Sequence, residues 1–289
     1  MIISRLSGGL GNQMFQYAAG KRLACALNAE YLLDLSLFDT LKCKTRRRYE
    51  LDVFDLKECV APPHLVESFL PLSGFWRRLL PERRQVGGTY YKEPHFNFDP
   101  GVLELTGDVC LDGYWQSERY FKDVADIIRD ALKVTLPMTG RNLDLSRRIG
   151  DVDAVSLHVR RGDYLIDQQV LEWHGVCGLD YYRQAIDYIA DRVKRPEFFV
   201  FSDEPEWAKA HLEFDHPVTF IDHNPPDKGY EDLRLMTICR HHIVANSSFS
   251  WWGAWLASSN DQIVLAPHKW FATDELDASD IYPANWIKI

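Results

Sequence analysis

The chain lacks an excess of positive charge: 33 lysines and arginines stand against 42 aspartates and glutamates, a formal net charge of −9 over 289 residues. Binding phosphate polymers or anionic membranes takes a broad positive field, so the balance argues against a nucleic-acid partner and requires any phosphate site to be local. Long apolar runs are missing too. The opening "MIISRLSGGLGNQ" has only a very short apolar stretch before its glycines, so neither a secretory leader nor an integral membrane segment is expected, and a cytoplasmic location is. The six cysteines (Cys25, Cys43, Cys59, Cys110, Cys177 and Cys239) form no C-x-x-C pair and no His/Cys cluster at zinc-ligand spacing. They read as reduced structural thiols. Internal repeats and low-complexity tracts are absent as well, which excludes solenoid and linker architectures.

What is present is an ordinary globular composition, 46% hydrophobic and 26% charged, enough for one large domain or two modest ones, with two preferred. "MIISRL" reads as a strand, "MFQYAAGKRLACALN" as a helix and "EYLLDL" (Glu30 to Leu35) as a second strand, together a βαβ unit. From Phe38 to Tyr91 basic runs and prolines interrupt any pattern, and loops with short helices are expected. A strand follows at Val109 to Trp115, then a helix with an apolar stripe at Ser117 to Val134. Pro137 and Gly140, in a stretch without a long apolar run, mark a domain boundary, dividing the chain into 1–150 and 151–289.

The second half alternates more regularly. Apolar strands are expected at Ala154 to Val159, Phe198 to Ser202, Val218 to Ile221, Ile243 to Ala245 and Gln262 to Ala266. Helical stretches lie between them: "LDYYRQAIDYIADRVK", "EPEWAKAHLE", "GYEDLRLMTICRH" and "SWWGAWLASS". This alternation implies right-handed crossovers and a parallel sheet covered on both faces, a doubly wound α/β domain.

In such a sheet ligands bind beyond the carboxyl ends of the strands. There the sequence sets Arg160, Arg161, Gly162 and Asp163 after one strand, Ser202, Asp203 and Glu204 after the next, and Asn246, Ser247 and Ser248 after the fourth. One edge thus carries positive charge, a carboxylate pair and small hydroxyls, the furniture of a nucleotide site. Strand alternation groups Ser156, His158 and Arg160 on one face and Leu157, Val159 and Arg161 on the other. Arg160 is therefore the main phosphate ligand, since its planar fork grips two oxygens and stays charged. His158 is either a core histidine or part of the pocket. Asp203 either caps the helix near Glu204 or accepts from the N1 and amino hydrogens of guanine. Ser247 and Ser248 either cap a helix or contribute to an anion site, and Trp251, Trp252 and Trp255 are expected to pack against the sheet.

Two further motifs bear on cofactors. Gly9-Leu10-Gly11 lacks the third glycine of a dinucleotide fingerprint, so NAD is not implied, yet the loop lets backbone and Asn12 approach a phosphate or sugar. The one Asp-x-Asp, Asp151 and Asp153, precedes its strand and so lies at the wrong end for a nucleotide-bound metal. No metal and no cofactor are expected.

Taken together and in order, "GGLGNQMFQYAAG", "HVRRGDY", "FSDEPEWA" and "YEDLRLMTICRHHIVANSSFSWWGAWL" resemble the bacterial α-1,2-fucosyltransferases of glycosyltransferase family 11 over essentially the full chain. The resemblance implies a GT-B-type α/β fold of two Rossmann-like domains, the N-terminal one binding acceptor and the C-terminal one, with its parallel sheet, binding GDP-sugar. It implies GDP-L-fucose as donor substrate, a galactose-terminated oligosaccharide as acceptor, and inverting transfer of L-fucose to the galactose 2-hydroxyl. Position by position, it assigns the donor β-phosphate to Arg160, the nucleotide pocket to His158, guanine to Asp203, and ribose or phosphate to Ser247 and Ser248, beside Asn246. Gly11 and Asn12 would approach the pyrophosphate. The proton acceptor is not singled out among Asp163, Asp167, Glu172 and His174; Asp163 ranks first for its fixed distance from Arg160, and a role ordering the arginine loop is equally open to it.

Overall fold

The first β-branched run forms β1 (Ile2–Arg5), followed by α1 (Leu10–Leu27) and β2 (Tyr31–Asp34), the expected βαβ unit. The computed structural model that establishes this describes residues 1–40, 47–71, 87–162, 165, 168–257, 259 and 261–289. Helix α1 is buried along most of its length, and Gly20 is where it meets the sheet. A Cβ there would stand 2.0 Å from Ser4 Oγ and 2.5 Å from the Tyr31 hydroxyl, so only glycine permits the approach.

The chain divides into two units, Met1–Lys133 with Ser279–Ile281, and Val134–Ala278 with Tyr282–Ile289. The first continues through α2 (Ser36–Thr40), β3 (Cys59–Val60), α3 (Pro63–Phe69), β4 (Thr89–Lys92), β5 (Val109–Asp112) and α4 (Ala125–Ala131). Its sheet is parallel throughout, in the order β3-β2-β1-β5-β4. The two strands at its edges, β3 and β4, fall in the stretch expected to hold only loops and short helices. Both are short and largely exposed or half-buried, so their pairing rests on backbone hydrogen bonds to a neighbour and leaves no apolar pattern. The helix expected over Ser117 to Val134 is broken, with 3-10 turns at Glu118–Tyr120 and Lys122–Val124 ahead of α4. Tyr120 and Phe121 are both buried there, adjacent residues that a regular helix would turn to different sides.

The second unit comprises α5 (Gly140–Asp151), β6 (Asp153–Val159), α6 (Gln168–His174), α7 (Leu179–Ala190), β7 (Pro196–Ser202), α8 (Pro205–His211), β8 (Val218–Ile221), α9 (Gly229–Ile238), β9 (His241–Ile243), α10 (Ser248–Leu256), β10 (Val264–Ala266) and β11 (Ile287–Lys288). Its six strands are parallel in the order β11-β10-β9-β6-β7-β8. Val155, Leu157 and Val159 pack with Tyr182, Ala185 and Ile186 of α7 on one face. On the other, Ala154, Phe199 and Phe201 pack with Leu145 and Ile149 of α5 and Leu235 and Met236 of α9. Helices therefore cover both faces, as the alternating sequence implied. The unit begins at Val134, ahead of residue 150, because α5 gives its two buried apolar residues to this core. Trp251, Trp252 and Trp255 of α10 are buried against one another and against Trp286.

Candidate functional site

The carboxyl end of β6 carries out the alternation read from the sequence. On the side of α9 and α10, the Ser156 hydroxyl lies 2.8 Å from His242 Nδ1, and the His158 ring sits 5.6 Å from that of Phe249 in the first turn of α10. His158 is buried with no hydrogen-bond partner at Nδ1, and burial, helped by the nearby Arg160 charge, pushes its pKa down to about 3. It is a neutral imidazole at any physiological pH.

The two arginines part company after it. Arg160 stays partly exposed, with Nε 3.3 Å from Asp203 Oδ2. Arg161 instead lays its guanidinium over the Trp207 ring, 3.8 Å from the centroid, with Nε 3.2 Å from Glu204. Asp203 joins them: its two oxygens accept the backbone N–H of Arg161 at 3.0 Å and of Gly162 at 2.9 Å. A Cβ on Gly162 would come within 3.0 Å of that carboxylate. Asp163, and Asp167 with it, lie outside the described residues. Glu172 and His174 belong to α6, where the His174 ring lies against Phe271.

After β9 the chain uses its polar residues at close quarters. Asn246 is buried, donating to the carbonyls of His174 at 2.8 Å and Trp270 at 3.2 Å, and so braces the turn after α6. Ser247 is the N-cap of α10, its hydroxyl accepting from Phe249 N, and Ser248 opens the helix. The start of α9 holds a group that the sequence reading passed over. Asp232 accepts from Asn224 Nδ2 at 2.7 Å, and burial, reinforced by the charge of Glu231, pushes its pKa up to about 6. Asn224 in turn accepts from Asn142 Nδ2 at 2.8 Å, which ties α5 and the end of β8 to α9. A Cβ on Gly229 would sit 3.8 Å from the Phe249 ring, so α9 begins beside the same Phe249 that faces His158. The available signal was helix phase: Asp232 shares a side of α9 with the buried Leu235 and Met236.

The first unit builds its own carboxyl edge. Gly8 has a φ of +75°, and a Cβ there would stand 2.6 Å from Asn12 Nδ2, so the glycine is required by both conformation and space. Gly11 is buried in the first turn of α1, and Asn12 Oδ1 accepts from Gln116 Nε2 at 2.9 Å. Gln13 and Gln16, both buried, hold the loop: Gln13 donates to Gly8 O and Arg48 O, while Gln16 accepts from Ser7 N and donates to Gly113 O. Their spacing of three on a buried helix was the readable clue. Arg5 spans Asp34 and Asp112 at 2.9 Å each, joining the ends of three adjacent strands.

Asp151 ends α5 and Asp153 opens β6, at the amino end of the sheet, where Asp153 pairs with Arg240 at 2.9 Å. Among the described residues no three metal-ligating side chains gather, and no helix is long and apolar enough to cross a membrane.

Residues 106–289 match the model of glycosyl transferase family 11. The chain belongs to that family. This family 11 enzyme is 34% identical over 304 residues to an alpha-1,2-colitosyltransferase of Escherichia coli, spanning 100% of this chain and 99% of that protein. To the human galactoside alpha-(1,2)-fucosyltransferase 1 it is 39% identical over 271 residues, 90% of this chain and 66% of that protein. A structure of an Arabidopsis thaliana FUT1 mutant in complex with GDP superposes with a TM-score of 0.51 at 12% identity, covering 98% of this chain and 74% of the other. The family 11 enzyme thus has a GT-B fold, with parallel sheets in an α/β arrangement.

Proposed function

We propose that this glycosyltransferase moves L-fucose from GDP-L-fucose to the 2-hydroxyl of a galactose residue in an oligosaccharide, inverting the anomeric centre to leave an α-1,2 linkage. The observation that carries the reading is the Arg160 guanidinium, held by Asp203 at the carboxyl end of β6 beside the buried His158. The names of the relatives, both α-1,2-transferases, support the linkage.

In a single displacement the C1–O bond to the diphosphate breaks with oxocarbenium character as the acceptor oxygen arrives from the opposite face. Charge collects on the leaving β-phosphate. Arg160 meets it as a preorganised cation, with the hydroxyls of Ser247 and Ser248 at the start of α10 alongside; such a donor is typically worth about 3 kcal/mol in the transition state. This makes Arg160 the source of positive charge, and the reading calls for no metal and no cofactor. Gly11 and Asn12 serve the pyrophosphate, and Asp163 the acceptor proton.

We assign guanine to Asp232 in place of Asp203. Both Asp203 oxygens already hold the arginine loop, whereas Asp232 belongs to α9, whose first residue, Gly229, lies near Phe249, which faces His158. A half-buried carboxylate accepts readily from the N1 and 2-amino hydrogens of guanine, a donor pair adenine lacks. The reading includes a cytoplasmic location, supported by the free thiols of Cys25, Cys59, Cys110, Cys177 and Cys239.

A second donor is favoured by the colitosyltransferase, whose match spans the whole chain. Colitose is L-fucose without its 3-hydroxyl. The test is to incubate the enzyme with GDP-L-fucose or GDP-L-colitose, with and without chelator, against a panel of galactosides, and to assign the linkage by NMR. Fucosyl α-1,2-galactoside formed equally well with chelator is the expected product. Preference for GDP-colitose would transfer the reading to that donor, inhibition by chelator would overturn the metal-free part, and no transfer to any galactoside would overturn the acceptor.

A further inference from the structure

The loop after β5, Gly113 to Gln116, is held far more firmly than a surface turn needs. Glu93, the residue following β4, accepts the backbone N–H of Tyr114 at 2.6 Å and of Trp115 at 3.0 Å. Gln16 donates to Gly113 O at 3.1 Å, and Gln116 donates to Asn12 at 2.9 Å. Trp115 adopts a left-handed backbone, φ +56°, while its ring is buried against Tyr91 and Tyr120. A large non-glycine residue held in that region stores strain that neighbouring contacts must overcome. Gly113 has no room for a side chain, since a Cβ would lie 2.4 Å from that of Glu93.

All this anchoring presents one side chain. Between the tight Gly113–Glu93 contact and the buried Trp115, Tyr114 is 44% exposed. It stands at the carboxyl edge of the first sheet, on the loop bonded to Asn12 and to Gln16 of α1. A partly exposed aromatic side chain on an anchored backbone suits the apolar face of a hexose, which galactose offers through its adjacent C–H groups, and anchoring the loop lowers the cost of ordering it on binding.

We propose that Tyr114 is the platform on which the acceptor hexose stacks, and that Glu93 is a positioning residue that holds it there through the backbone of Tyr114 and Trp115. The proposal rests on the galactoside-transfer reading above. Burial raises the Glu93 pKa to about 7, and the two N–H groups it accepts pull the other way by favouring the charged form.

The test has two arms. In steady-state kinetics, Tyr114→Ala raises the acceptor KM about tenfold and leaves the donor KM and donor hydrolysis unchanged, while Tyr114→Phe and Tyr114→Trp restore it. Glu93→Gln, which keeps one acceptor oxygen for two N–H groups, raises the same KM without touching the donor. In saturation-transfer NMR with lactose and no donor, the lactose signal of the parent enzyme disappears in Tyr114→Ala and persists in Tyr114→Trp. An acceptor KM within twofold of the parent in Tyr114→Ala, or a lactose signal that Tyr114→Ala leaves intact or the parent lacks, overturns the proposal. An enzyme that transfers to no galactoside, yet binds lactose through Tyr114, overturns the transfer reading and leaves this one standing.

Discussion

The Asp203 carboxylate accepts the backbone N–H of Gly162 at 2.9 Å while its neighbour in sequence, Glu204, takes the Arg161 side chain at 3.2 Å. The end of β7 thereby shapes the loop at the end of β6. Replacing Asp203 by Ala removes the acceptor of two N–H groups and the carboxylate beside Arg160. GDP affinity should fall by roughly ten- to a hundredfold, since hydrogen bonds to a charged group are worth about 1.5–3 kcal/mol. Asp203→Asn, with one acceptor oxygen, should lie between. Titration calorimetry with GDP measures both, and an Asp203→Ala protein that binds GDP normally would show that the loop holds without the clamp.

Arg160 and Arg161 should differ sharply. Arg160→Ala is expected to lower turnover by at least about a hundredfold, from the loss of transition-state charge stabilisation. Arg161→Ala removes a stack on Trp207 and a pair with Glu204, and should cost about tenfold or less. Equal losses in kcat would contradict the division of roles that strand alternation imposes.

Asp232 makes a prediction about base selectivity. Inosine diphosphate differs from GDP only by lacking the 2-amino group, so the parent enzyme should prefer GDP as an inhibitor. Asp232→Asn should reduce that preference by roughly tenfold or more, because the charged acceptor is gone. Competitive inhibition constants for the two nucleotides decide it; an unchanged ratio assigns guanine elsewhere.

His158 and His242 give the fold an acid limit. Both have pKa values pushed from 6.5 to about 3, chiefly by burial, with the charge of Arg160 and of His241 second in each case. Between these values the unfolded chain holds two protons that the folded chain refuses, so stability falls as pH drops from about 6.5 toward 3 and is fully present above it. The slope is about 1.4 kcal/mol per pH unit for each histidine. Urea midpoints from pH 7.5 to 4.5 measure it, and His158→Phe should remove one proton from the dependence. A parent profile flat across that range would mean that the core accepts charged imidazoles.

Gly20→Ala tests the approach of α1 to the sheet. The added methyl meets Ser4 Oγ at 2.0 Å, and overpacking of this kind costs about 1–3 kcal/mol. The urea denaturation midpoint should fall accordingly, and an unchanged midpoint would show that the helix can move off the sheet without cost.

Much of the second unit was legible because its strands are buried on both faces. Leu157 and Val159 announce β6 by composition alone, and their alternation with His158 separates Arg160 from Arg161. Strand β9 begins two residues ahead of the expected Ile243, because it opens with His241 and His242, buried polar residues that break an apolar run. The edge strands β3 and β4 had no such run to show.

Sequence by itself determined the alternation of strands and helices, the carboxyl edge at which Arg160, Asp203 and Ser247 collect, and the family pattern, since each depends on local order or on spacing along one chain. Tertiary structure alone decided what those side chains do. Asp203 spans 41 residues to hold Gly162, Glu93 reaches 21 residues to Tyr114, and Gln116 crosses 104 to Asn12. The reason is physical: a buried polar atom must find a partner, and the partner is chosen by which strand ends the sheet order brings together, information that no local pattern contains.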